Sequence, residues 1–147
     1  MGKEIRLISH RGNIDGPDKL ENHPDLIKYA LKIGYDVEID IWNLDGVLYL
    51  GHDVPEHNIR IDFINQDRLW IHCKNVEALE YCKSNRIKNN YFWHQNDDVV
   101  LTSNGFFWTY PGKKLTKYSI AVMPEIKTFE NIGISYGICS DYITLYK

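Results

Sequence analysis

Pro24-Asp25-Leu26-Ile27-Lys28-Tyr29-Ala30-Leu31-Lys32-Ile33, then Gly34, then Tyr35-Asp36-Val37-Glu38-Ile39-Asp40-Ile41 reads as a helix run directly into a strand. Pro24 suits a first helical turn, Leu26, Ile27, Ala30 and Leu31 recur at helical spacing, and Gly34 is a stop signal. Asn22 or His23 stands where a cap is expected. After the glycine the period changes from 3.6 to two, which puts Glu38 and Asp40 on one side of a strand and Val37, Ile39 and Ile41 on the other. Upstream, Ile5 to Ser9 is a short apolar run, so the first forty residues spell strand, helix, strand, the signature of a parallel sheet.

Working outward, further strands are predicted at Leu69 to Cys73, Tyr91 to His94, Phe106 to Thr109, Ser119 to Met123, Gly137 to Ser140 and Tyr142 to Tyr146. A second helix is predicted over Val76 to Ser84, and Val47 to Leu50 folds back on the Glu38 strand through the Asp45-Gly46 turn. Eight strands in this order predict an α/β fold, a compact, pared-down (β/α)8 TIM-type barrel with several short or missing outer helices. Such barrels take about 250 residues, and this chain has 147, in which the connections after Tyr91 are too short for a full helix each. An open α/β sheet with an irregular C-terminal half is the alternative. Trp93, Phe106, Phe107, Trp108 and the ten tyrosines would cover an exposed barrel wall or form a homodimer interface.

The composition suits a single domain over residues 1–147. A net charge of −3 argues against a nucleic-acid partner. The three cysteines, Cys73, Cys82 and Cys139, sit in apolar runs without metal-ligand spacing, which with the absence of a leader-like segment or a run of about 18 apolar residues predicts a reduced, cytoplasmic setting and no membrane span.

The chemistry gathers in the first third. Ser9-His10-Arg11-Gly12-Asn13 and Leu50-Gly51-His52-Asp53 bring two imidazoles able to trade protons and an arginine suited to phosphate. Glu38 and Asp40 can point at one ion, and their oxygens suit Mg or Ca. In a parallel sheet these groups end up on one face, at the C-terminal ends of the strands.

His10-Arg11-Gly12, Glu21-Asn22-His23-Pro24, Gly34 to Asp40 and Asp45 to Asp53 together resemble the glycerophosphodiester phosphodiesterase family. The resemblance runs in order over residues 5 to 53 and fades beyond residue 75. It implies metal-assisted hydrolysis of a small phosphodiester, with His10 and His52 as the catalytic acid/base pair and Arg11 gripping phosphate. Glu21 would orient Arg11, hold the metal or simply open the helix, and Asn22 would cap it. Asp53 would orient His52 or make an Asx turn.

The pattern breaks at Ile71-His72-Cys73-Lys74. His72 stands where the family's third strand carries a metal-binding Glu, while Lys74 keeps the place of a phosphate-contacting Lys. A set of Glu38, Asp40 and His72 makes Mn or Zn more plausible as the divalent cation than a purely carboxylate site would. The same departure leaves a non-catalytic phospholigand-binding remnant as one alternative; a cyclising phosphodiester lyase is another, for a substrate with a hydroxyl next to the phosphate. His94, Glu125 and Asp141 fall at later strand ends, where they would bind substrate hydroxyls, complete a metal shell or simply make turns. Trp42 and Trp108 are candidate stacking platforms.

Overall fold

In a computed structural model, residues 4–147 are described. Their elements run β1 (Arg6–His10), α1 (Pro24–Lys32), β2 (Asp36–Leu44), β3 (Val47–Leu50), β4 (His57–Ile59), α2 (Ile61–Ile64), β5 (Leu69–Cys73), α3 (Val76–Ser84), β6 (Asn90–Trp93), β7 (Val99–Leu101), β8 (Phe107–Thr109), β9 (Ser119–Val122) and β10 (Gly137–Ser140). The ten strands belong to one curled sheet. Its central strands run parallel in the order β6-β5-β2-β1-β10-β9-β8, so the last strand pairs with the first. The long β2 continues past this parallel region into an antiparallel β2-β3-β4 ribbon, turning through Asp45-Gly46 as that dipeptide predicts.

The expected (β/α)8 barrel is not formed. Among the described residues there are only three α-helices, one of them the four-residue α2, and β7 runs antiparallel to β8. The strand expected over Tyr142 to Tyr146 is instead a 3₁₀ turn at Ile143–Tyr146. Its β-prone residues have no free edge to join, because β10 is already paired on both sides by β1 and β9; strand propensity yields to such context. The strands β4 and β7 and the helix α2 have too little periodicity to be read from sequence. At the two ends of the curl, Ser103 N–H donates to the Tyr91 carbonyl at 3.0 Å and the Thr102 hydroxyl to the Asn90 carboxamide at 2.6 Å.

Alternation sorts the strands' side chains into two layers. Val37, Ile39, Ile41, Leu69, Ile71 and Cys73 face α1 and α3, which bury Ile27, Ala30, Leu31, Ala78 and Cys82 against them. On the concave side, Ile8, Trp70, Phe92, Trp108, Ile120, Val122 and Cys139 fill the curl. Trp108 therefore lies inside, its ring 4.8 Å from Phe92 and 5.9 Å from Trp70, with Phe106 packed beside it. These two aromatics do not cover an outer wall. Where outer helices are missing, the convex face is covered by connection residues, among them Leu115, Phe129, Ile132 and Ile143. No described helix is long and apolar enough to cross a membrane.

Candidate active site

The concave residues have partners two positions further along, at or just beyond the C-terminal strand ends: Ile8 leads to His10, Glu38 to Asp40, Trp70 to His72, Phe92 to His94, Trp108 to Tyr110 and Cys139 to Asp141. The parallel register sets His10 opposite Glu38 and Asp40 opposite His72. Three ligand atoms, from Glu38, Asp40 and His72, consequently lie within 4.8 Å of one another.

Glu38 and Asp40 are fully withdrawn from solvent, yet Glu38 Oε1 and Asp40 Oδ1 have no hydrogen-bond partner. Asp40 Oδ1 lies 3.0 Å from His72 Nδ1. Leaving buried carboxylate oxygens unpaired is costly, and a divalent cation would satisfy both oxygens together with the imidazole nitrogen. The donor set fits such an ion.

The charges respond to this crowding. Burial, followed by the charge of Asp40, pushes the Glu38 carboxyl up to about 7. Burial would also raise Asp40, but His72, Arg11 and the Asn22 carboxamide hold it well below the usual carboxylate range. Asn22 is not the helix cap. His23 caps α1, its ring accepting the Asp25 N–H, while Asn22, in the left-handed region at φ 63°, exchanges two hydrogen bonds with Asp40.

Burial alone would lower the His10 imidazole, but the Glu38 charge and the Asp141 hydrogen bond outweigh it and raise His10 above the ordinary histidine value. His10 Nδ1 lies 2.7 Å from Asp141 Oδ1, with Nε2 3.9 Å from Glu38. Asp141 is supported in turn by Asn13 at 2.9 Å and by its own N–H to Glu125 at 3.2 Å. Glu125 also accepts the Ser140 hydroxyl. Sequence reading left the roles of Asp141 and Glu125 open and passed over Asn13; its place immediately after His10-Arg11-Gly12 was the only available signal.

Arg11 has a left-handed backbone at φ 59°, a strained conformation of a kind that clusters at functional sites. Its guanidinium lies 3.2 Å from Glu21 and 3.3 Å from Asp40. Glu21 thus orients Arg11 and, through its second oxygen, Asn13; it is not among the grouped ligands.

His52 follows Gly51, where a Cβ would run into the Val54 carbonyl oxygen, so the tight bend that returns His52 to the mouth requires glycine. Asp53 Oδ1 stands 2.8 Å from His52 Nδ1. Burial and the nearby Arg11 charge lower the His52 pKa. The charge of Lys74, which directly follows β5, contributes to the lowering of both His52 and His94. His94 stacks on Tyr110 at 3.7 Å and lies 6.1 Å from His72, ring to ring. Trp108 is buried and offers no free stacking face, whereas Trp42 is partly buried and donates its indole N–H to the Gly51 carbonyl at 2.7 Å.

Set against protein-family profiles, curated proteins and solved structures, the chain matches none.

Proposed function

We propose that this protein hydrolyses a small glycerophosphodiester-like substrate by metal-assisted, two-histidine acid/base chemistry. The observation that carries this reading is the convergence of His10, Arg11, Glu38, Asp40 and His72 at neighbouring parallel strand ends, with buried carboxylate oxygens left unpaired. Glu38, Asp40 and His72 would hold the divalent cation, which when bound supplies positive charge to the phosphate oxygens. The mixed oxygen and nitrogen set favours Mn or Zn over Mg or Ca.

Arg11, steadied by Glu21, grips a phosphate oxygen, and Lys74 adds a second cation at the rim. One of the two imidazoles, His10 or His52, takes the proton of the attacking hydroxyl or water; the other returns a proton to the departing alkoxide oxygen. Asp141 keeps the His10 ring in place throughout. A hydroxyl on the substrate next to the phosphate would let the same pair drive internal attack and release a cyclic phosphate. His72 in place of a carboxylate favours one further reading, a phospholigand-binding remnant without turnover. The buried, unpaired Cys73, Cys82 and Cys139 suit a reducing, cytoplasmic setting.

The test is cleavage of bis(p-nitrophenyl) phosphate and glycerophosphocholine by the wild type, His10→Ala and His52→Ala, with chelator or with Mg²⁺, Ca²⁺, Mn²⁺ or Zn²⁺ added. Metal-dependent turnover, highest with Mn²⁺ or Zn²⁺ and lost in both variants, is expected. Product analysis separates hydrolysis from cyclisation. Binding of glycerophosphocholine without turnover under any metal would establish the remnant instead.

A further inference from the structure

A second concave region, which shares no residue with the strand-end cluster, includes Leu115 and Phe129 of the convex side, where helices are missing. Residues 110–118 connect β8 to β9 and residues 123–136 connect β9 to β10, and neither contains an α-helix. Between them is a groove of about 690 Å³ lined by Lys113, Lys114 and Lys127, with Gly112, Thr128 and Ile134 among its other walls.

The groove concentrates positive charge on a chain whose net charge is −3. No aspartate or glutamate occurs from Val99 to Pro124, a span that holds Lys113, Lys114 and Lys117. Glu130 is the only carboxylate in the lining, and Asp98, 3.4 Å from the Lys113 ammonium, is the nearby acid outside it. Lys127 is not freely waving. Its methylene stem lies across Gly112, so closely that a Cβ there would stand 2.6 Å from it. Gly112 suits its positive φ of 77°, and its missing side chain leaves the space the lysine stem fills. Apolar side chains stand beside the lysines: Ile134 in the lining is 45% exposed, and Ile126, next to Lys127, is 69% exposed.

Lysines around a concavity with protruding aliphatic side chains match an anionic lipid surface, where ammonium groups meet headgroup phosphates and isoleucines enter the boundary with the acyl chains. We propose that this groove docks the protein on an anionic membrane surface, a headgroup phosphate being taken up between Lys113, Lys114 and Lys127. The inference does not depend on the chemistry assigned to His10 and His52.

The experiment is co-sedimentation with vesicles of phosphatidylcholine alone or mixed equally with phosphatidylglycerol, at low and raised salt. Wild type is expected to sediment with the anionic vesicles only, and less as salt rises. A juxtaposed lysine contributes about 1 kcal/mol of surface attraction, about five-fold in partitioning. Lys114→Gln with Lys127→Gln should therefore weaken binding about 25-fold, on the same scale. Lys28→Gln with Lys32→Gln, an equal change of charge on α1, should leave binding as it was, and circular dichroism checks that both variants fold. Wild type remaining in the supernatant, or the two variants weakening binding equally, overturns the proposal. So does calorimetric binding of inorganic phosphate that depends on Lys114 and Lys127 without vesicle binding, which would make the groove a site for free phosphate.

Discussion

His10 is steadied from behind by Asp141, and that contact gives the residue scale its sharpest test. Asp141→Asn keeps the shape but removes the charge that orients the imidazole, so turnover should fall by at least about ten-fold with little change in KM. The same substitution changes stability in a defined direction. Burial would raise the Asp141 pKa, but the hydrogen bond and charge of His10 lower it below its ordinary 3.8. A lowered carboxyl pKa contributes stability that is present above the unfolded value and is lost as pH falls through the folded one. Urea denaturation should therefore find the variant weaker than wild type at neutral pH, with the difference shrinking as the pH falls from about 3.8 and gone only below the lowered folded value; a constant difference would mean that Asp141 acts through packing alone. At this scale much was legible. His10, Arg11, Glu38, Asp40 and His52 stood out by type and spacing. Asn22 did not show its role, because a residue before a helix looks like a cap until its bonds to Asp40 are seen.

At the scale of elements, α3 holds the rim of the site through Asn75. Its side chain accepts the Ala78 N–H at 3.0 Å as the helix cap and donates to the Asn43 carbonyl at 2.9 Å, tying the helix to the end of β2. Asn75→Ala should cost about 1–2 kcal/mol in denaturant unfolding, the upper end of cap losses because the bonds to the Asn43 N–H and carbonyl go with the cap. The extents of α1 and α3 were readable from apolar spacing and stop signals, and β5 and β10 from dense apolar runs. The 3₁₀ turn at Ile143–Tyr146 was not, since its composition suits a strand and only the occupied edges of β10 forbid one.

Across the whole molecule, the curl is filled by the aromatic rings of Trp70, Phe92 and Trp108 beside Ile8, Ile120 and Val122, where branched aliphatic residues dominate the layers of a (β/α)8 barrel. Trp108 sits at the centre of this packing, 3% exposed. Trp108→Ala should destabilise by about 3–5 kcal/mol, measured by chemical denaturation. A loss below about 1 kcal/mol would show that the concave core does not rest on that ring.

Period-two alternation is a local property, so the sequence by itself determined that Glu38 and Asp40 share a face and that His10 and His72 end their strands pointing the same way. Helix starts and stops are likewise local. The tertiary structure decided what lies beside what. Asp141 reaches His10 across 131 positions of chain only because β10 pairs with β1, and Asp40 meets His72 because β5 takes its place beside β2. Such pairings depend on which edges remain open once the sheet has curled. No window of sequence carries that information, because strand pairing is a competition among distant segments that only the assembled sheet resolves.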